Sequence, residues 1–106
     1  MAFPALRAAA FLLSASFVPF SAFAAEHEIR IQGFAFAPAN LTVAVGDTIT
    51  FINKDGAPHT ATATDGSFDT GRLRRNDDAT ITVEAPGTVN YFCEVHPSMK
   101  RLIIVE

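Results

Sequence analysis

The sequence predicts an all-β domain, either a sandwich or a barrel of short strands. Apolar residues alternate with polar ones in several runs, as Ile29 and Ile31 do within residues 28–32, and a period of two is typical of strands with one buried face. Turn-forming pairs such as Gly46-Asp47 and Pro86-Gly87 separate the runs. No window after residue 24 has a helical period, so the regular structure is predicted to be strands.

The strand candidates occur at short intervals along the chain. In order, they are Ile29 and Ile31; Leu41, Val43 and Val45; Thr48 to Phe51; Ile81 and Val83; Val89, Tyr91 and Cys93; and Leu102 to Val105. Two polar stretches, residues 53–58 and 64–76, are rich in Gly, Asp and Asn and are predicted to be loops. Loops of this kind carry function when a rigid sheet positions them.

Residues 1–24 have the pattern of a secretory leader. Arg7 precedes an apolar run from Ala8 to Phe20, and Ala22-Phe23-Ala24 is a small-residue cleavage site. A membrane anchor is the alternative, but the run is short for a span and contains Pro19. The pattern predicts Sec-type export because there is no twin arginine. We expect cleavage after Ala24, a mature domain of residues 25–106, and a periplasmic location.

The charge balance is mildly acidic. Loss of Arg7 with the leader leaves 11 acidic and 7 basic residues, a formal charge of −4. This balance disfavours nucleic acid as a partner. Arg72, Arg74 and Arg75 nevertheless form a basic cluster, which is either ordinary solvated surface or a docking patch for an acidic protein.

Soft metal-binding side chains are concentrated near the C-terminus. Cys93, His96 and Met99 are spaced as Cys-x-x-His-x-x-Met, with Cys93 at the end of a predicted strand. Taken singly, they would be a buried Cys, a surface His and a core Met. Together they place a thiolate, an imidazole and a thioether on one tight loop, which Pro97 stiffens. His59, in an earlier loop, is the best candidate for a fourth ligand.

This donor set favours copper over zinc. A His₂Cys site with a weak Met ligand suits copper that cycles between Cu(I) and Cu(II), whereas zinc sites use Cys, His and carboxylates. No open position for a substrate is evident, so the sequence predicts a one-electron carrier and not an enzyme. Cys93 is the only cysteine, so it cannot form an internal disulfide, and metal ligation would protect its thiol in an oxidising compartment.

Several motifs resemble those of the cupredoxins, the type 1 blue copper proteins, and of their amicyanin and plastocyanin members in particular. The resemblance runs from about residue 34 to residue 105 and includes the segments Phe34 to Pro38, Val45 to Asp47, Asp55 to His59, Phe68 to Gly71, and Tyr91 to Met99. It implies a Greek-key β-sandwich of about seven to eight strands. The short gap between His96 and Met99 is similar to that of amicyanins.

The resemblance also implies roles for individual residues. Both His ligands would bind copper through Nδ1, and Thr60 would hydrogen-bond back to the Cys93 loop as outer-shell support. An apolar collar around His96 would be the electron port, with Ala57, Pro58, Pro97 and Phe36 as its candidate members. Three departures, namely Glu94, Ser98 and Lys100-Arg101, leave the redox partner open.

Two functions remain in competition at this point. The leading interpretation is a monomeric electron carrier with transient partners, such as a periplasmic dehydrogenase, a cytochrome c, or a terminal oxidase or reductase. The alternative is a periplasmic copper carrier or buffer. Such proteins expose tracts rich in Met or His, and this chain has only two methionines, one of which is Met1.

A second copper site is conceivable at the new N-terminus. Cleavage after Ala24 would leave Ala25-Glu26-His27, and a free amine with His at position three wraps Cu(II) or Ni(II) in a square plane of nitrogens. The simpler interpretation is a polar terminus that enters the first strand.

Overall fold

The computed structural model describes residues 24–106, and these form eight strands without a helix. The strands are β1 (Glu26–Ile31), β2 (Phe36–Ala37), β3 (Asn40–Val43), β4 (Thr48–Asn53), β5 (Thr62–Ala63), β6 (Asp78–Thr82), β7 (Gly87–Phe92) and β8 (Lys100–Val105). The predicted leader, apart from Ala24, lies outside the described residues. Within residues 24–106, no helix is long and apolar enough to cross a membrane.

The strands form two four-stranded sheets, so the predicted all-β sandwich is confirmed. One sheet has the order β2-β1-β4-β6 and the other has the order β3-β8-β7-β5. The pairs β1–β4 and β3–β8 are parallel, and the other pairs are antiparallel. Side chains alternate between the two faces of each strand, so one face of each sheet packs into a shared core.

Large apolar side chains fill the space between the sheets. Ile29, Ile49, Phe51 and Ile103 are fully buried, and Tyr91 is 1% exposed. The aromatic ring of Phe51 meets the ring of Tyr91 edge to face at 5.6 Å between centroids. Burial of each such side chain stabilises the fold by about 1.5–3 kcal/mol, which gives the loops a rigid support.

The structure corrects three strand boundaries. β3 ends at Val43, so Val45 lies in the following turn and is 48% exposed. Val83 directly follows β6, and Cys93 directly follows β7. Val83 N still donates to Asp47 O at 3.0 Å and Cys93 N to Met99 O at 3.1 Å, so backbone pairing continues one residue beyond each of these two strands. Both Val83 and Cys93 remain buried.

The parallel pairing of β1 with β4 gives the sandwich two distinct ends. The register runs from Glu26↔Thr48 to Ile31↔Asn53, so the two strands start together and finish together. We call the end beyond Ile31 and Asn53 the upper end; its loops are residues 32–35 and 54–61. We call the end around Glu26 and Thr48 the lower end.

Candidate metal centre

Three of the four predicted ligands, His59, Cys93 and His96, lie together at the upper end, and Met99 closes the loop that carries two of them. His59 Nδ1 lies 3.7 Å from Cys93 Sγ, and the imidazole rings of His59 and His96 are 5.0 Å apart between centroids. His59 and Cys93 are fully buried and Met99 is 7% exposed. The loop from Cys93 to Met99 closes on itself, since Cys93 N donates to Met99 O at 3.1 Å and Met99 N donates to His96 O at 2.9 Å.

His59 is held in place by the backbone on both sides. Its N–H donates to Leu73 O at 3.1 Å, and its C=O accepts from Leu73 N at 2.7 Å. This isolated bridge anchors the loop after β4 to the long loop before β6. The imidazole therefore occupies a defined position although it belongs to no strand.

Thr60 ties the His59 loop to the Cys93 loop. Its N–H donates to Cys93 Sγ at 3.3 Å, and its hydroxyl accepts from Glu94 N at 2.8 Å. The hydrogen bonding expected between Thr60 and the Cys93 loop is confirmed. These two bonds hold the Cys93 loop against the residue that follows His59.

Asp55 supports His59 from the side opposite Cys93, and sequence reasoning gave it no role of its own. Its carboxylate accepts from His59 Nε2 at 2.9 Å, from Gly33 N at 2.8 Å and from Phe34 N at 2.9 Å. Burial alone would raise the pKa of Asp55, but the amides of Phe34 and Gly33 and the imidazole of His59 outweigh burial and lower it. A proton on Nε2 directed at this carboxylate leaves the Nδ1 lone pair free to bind a metal.

Phe34 covers both imidazoles, and the sequence did not single it out. Its ring meets His59 edge-on at 5.0 Å and His96 at 4.8 Å between centroids. The side chain is still 51% exposed, so it joins the buried site to the surface. The backbone of Phe34 has a φ of 58°, in the left-handed region, which costs a residue with a Cβ about 1–2 kcal/mol of conformational energy. The hydrogen bonds from the Gly33 and Phe34 N–H groups to Asp55 hold the backbone in this conformation.

The expected apolar collar needs one correction. Phe36 is only 2% exposed and packs on Tyr91 at 4.8 Å between ring centroids, so it belongs to the core and not to the collar. Phe34 takes that place, because the turn between the two residues sends their side chains to different environments. Of the other candidates, Pro97 is exposed, and Ala57 and Pro58 are half-buried.

A ring nitrogen of His96 is available to bind a metal. Its Nε2 is buried and has no hydrogen-bond partner. Among residues 24–106, no three His, Cys, Asp or Glu side chains converge as they stand on one metal position. The donor set nevertheless fits copper, since the imidazoles of His59 and His96 lie side by side, the Cys93 thiol faces His59, and Met99 with its thioether closes the same loop.

Comparison with known proteins agrees with this assignment. The family model described as a cupredoxin-like domain matches residues 4–105. The chain belongs to the cupredoxin-like family. The members of this family bind one type 1 copper ion, and the expected fold and cofactor are thereby confirmed.

Individual relatives have low sequence identity to this chain. Amicyanin-alpha from Methylorubrum extorquens is 29% identical over 84 residues, which cover 74% of this chain and 71% of that protein. The Cu(I) form of an amicyanin variant superposes with a TM-score of 0.72 at 28% identity, over 89% of this chain and 90% of that one. A copper-containing nitrite reductase from Thermus scotoductus has a TM-score of 0.70 at 28% identity over 82% of this chain, which spans only 23% of that reductase.

Proposed function

We propose that this chain is an exported blue copper protein that carries single electrons, with His59, Cys93, His96 and Met99 as the ligands of one copper ion. The observation that carries the proposal is the position of Cys93 Sγ. It is fully buried, 3.3 Å from the Thr60 N–H and 3.7 Å from His59 Nδ1. When bound, the copper supplies the one-electron couple Cu(II)/Cu(I).

The residues around the site perform the remaining tasks. Asp55 orients His59, and Thr60 fixes the distance between the two ligand loops. Phe34 excludes water from the faces of both imidazoles. A site held this firmly by the sandwich changes little between the two copper states, which keeps the reorganisation that accompanies electron transfer small.

The electron is proposed to cross at the surface formed by Phe34, His96 and Pro97. Phe34 lies in contact with His96 and is half exposed, so it would touch a docked protein directly. The partners are then transient redox proteins, such as a periplasmic dehydrogenase, a cytochrome c, or a terminal oxidase or reductase. Interfaces of this kind are small and turn over quickly.

The basic cluster lies close to this surface. Arg72 and Arg74 flank Leu73, which pairs with His59, and a Cβ on Gly56 would lie 2.9 Å from Arg75 Nη2. Among residues 24–106, Arg30 is the only arginine or lysine paired with a carboxylate, so the three arginines of the cluster are free to attract carboxylates of a partner. We therefore expect an acidic docking face on the partner.

Two properties disfavour a copper-delivery role. Three of the four ligands are almost completely buried, and handing over the ion would require the loops to open. Met99 is the only methionine among residues 24–106, so the described part of the chain has no methionine-rich tract to pass the ion onward.

Optical spectroscopy tests the proposal. Copper-loaded protein purified from the full chain should be intensely blue because of charge transfer from the Cys93 thiolate to Cu(II). Cys93→Ser should abolish the colour, whereas Ser98→Ala, in the same loop but exposed, should retain it. A colourless Cu(II) complex of the unaltered protein would refute the assignment.

The reduction potential tests the role of Met99. Met99→Gln should keep the blue colour and lower the potential, because the weak thioether ligand would tune the couple. An unchanged potential would show that Met99 is not a ligand of the copper.

A further inference from the structure

Within the described residues, the first backbone bonds to the turn before β4 and to β4 come from Ala25, the residue that follows the predicted cleavage site. Ala25 O accepts a hydrogen bond from Thr48 N at 3.0 Å, and Ala25 N donates to Asp47 Oδ1 at 2.9 Å. Ala24, one residue earlier, is exposed and belongs to no strand. The predicted cleavage site thus directly precedes the first described residue that bonds to Asp47 and to Thr48.

Asp47 provides a prepared anionic site at this position. It is 6% exposed, and its Oδ2 accepts from Ala44 N and from His27 Nε2, each at 2.9 Å. The Ala44 amide, His27 and the Ala25 amide together lower the pKa of Asp47 to about 2, against the effect of burial. The carboxylate therefore stays ionised throughout the neutral range, and a full positive charge would complement it.

Removal of the leader creates such a charge. Hydrolysis of the bond between Ala24 and Ala25 adds one water, leaves a carboxylate on Ala24, and turns the Ala25 amide nitrogen into an amine that is protonated at neutral pH. The nitrogen already placed 2.9 Å from Asp47 Oδ1 then carries the charge. Charge-assisted hydrogen bonds of this kind are about twice as strong as neutral ones.

We propose that Asp47 is the docking site for the N-terminal ammonium produced by cleavage between Ala24 and Ala25, so that processing completes an ion pair that locks β1 onto the turn before β4. The proposal rests on the export part of the proposed function and is independent of copper.

The position of the cut decides whether the pair forms. Consecutive Cα atoms lie about 3.8 Å apart, so a cut one residue earlier would move the charge out of hydrogen-bond range of Asp47. A cut one residue later would remove the carbonyl that accepts from Thr48 N. Only an N-terminus at Ala25 satisfies both contacts.

The same contacts compete with a second copper site. Ala25 N and His27 Nε2 both bind Asp47, and the β1–β4 ladder begins at Glu26. Binding of Cu(II) in a square plane of nitrogens would require the amine to leave Asp47 and the start of β1 to separate from β4. We therefore assign the amine to Asp47 and not to a metal.

The first measurement is the intact mass of the exported protein, expressed as the full chain. We expect the mature species to begin at Ala25, and any other N-terminus would overturn the proposal. A colourless copper complex, in contrast, would refute the copper assignment and leave this result untouched.

The second measurement removes the charge without changing the sequence. Transamination with pyridoxal phosphate converts the N-terminal amine to a ketone. We expect it to lower the thermal midpoint of the unaltered protein and to leave that of Asp47→Asn unchanged. Equal shifts in the two proteins would overturn the proposal, because the coupling between the two groups would then be absent.

A third measurement does not depend on the folding of a variant. The charged groups around the amine are Asp47, His27 and the neighbouring Glu26. At pH 7 the amine of the folded protein should be acylated about tenfold more slowly than the amine of the urea-unfolded protein, the factor that a stabilisation of the ammonium by one pKa unit gives. Equal rates at the N-terminal peptide, read by mass spectrometry, would contradict the ion pair.

Discussion

The two ends of the sandwich use the same arrangement for different purposes. At the upper end, Asp55 accepts from two backbone amides and from His59 Nε2 at 2.9 Å. At the lower end, Asp47 also accepts from two backbone amides, and from His27 Nε2 at 2.9 Å. The two imidazoles differ in their burial and in what lies opposite the carboxylate. His59 is completely buried with Cys93 Sγ at 3.7 Å, whereas the side chain of His27 is 22% exposed.

This difference shows that an Asp–His pair has no function by itself. At the upper end the carboxylate orients a buried imidazole that faces a thiol, which suits the proposed role of His59 as a metal ligand. At the lower end the carboxylate gathers the start of β1 and the turn before β4, and the result is a closed sheet. Substitutions in the two pairs should therefore affect different properties.

The largest effect is expected on copper affinity. Asp55→Asn removes the charged acceptor behind His59, and loss of such a partner weakens metal binding by about 10–100-fold. Asp47→Asn, the matched change at the lower end, should leave the affinity unaltered. Competition titration with a copper chelator measures both. Equal losses in the two variants would contradict the division between the ends.

The next effect is on stability in acid. The pKa of Asp47 is lowered from 3.8 to about 2, so its contribution to stability is complete above pH ~4 and is lost as the pH falls toward 2. Thermal unfolding of the copper-free protein should therefore show a deficit for Asp47→Asn at pH 6 that shrinks steadily toward pH 2. A deficit that stays constant over this range would show that the charge of Asp47 does not contribute.

A smaller effect is expected on electron transfer. Phe34→Ala removes the ring that covers His59 and His96, and the electron self-exchange rate should fall several-fold. Val45→Ala is the matched control, since Val45 is 48% exposed at the lower end and Phe34 is 51% exposed at the upper end. The thermal midpoint should change little in either variant, because half-exposed side chains contribute little burial. Equal rates in the two variants would exclude Phe34 from the electron path.

The smallest effect is expected for a substitution of Tyr91, which lies in the core between the two ends. The Tyr91 hydroxyl is buried without a hydrogen-bond partner, and burial raises its pKa. Tyr91→Phe should therefore raise the free energy of unfolding by up to about 1 kcal/mol, since an unsatisfied polar group is removed. Urea denaturation measures this change, and the blue absorption serves as the internal control. A clear destabilisation would indicate that the hydroxyl is hydrogen-bonded in solution.

Much of the metal centre was predictable from local spacing. Cys93, His96 and Met99 lie on one loop, so the chain itself limits how far their donor atoms can separate. His59 could be chosen because the only other histidines are His27, near the predicted mature terminus, and His96 itself. Thr60 followed from the family resemblance, and the structure confirms its bond to the Cys93 loop.

The aromatic residues near the site were not predictable in this way. Phe34 and Phe36 are two residues apart and would share a face in an ideal strand. The left-handed backbone at Gly33 and Phe34 breaks the alternation, so one ring covers the imidazoles and the other enters the core. This turn depends on the carboxylate of Asp55, which is 21 positions away from Phe34.

The sequence by itself determined the all-β class, the soft donor set and the copper chemistry that it favours, because these depend on periodicity, residue type and short spacing. Only the tertiary structure decided which aromatic ring covers the site and what the carboxylates of Asp55 and Asp47 bind. The physical reason is that these contacts form between segments about 20 positions apart, which only the parallel pairing of β1 with β4 brings together.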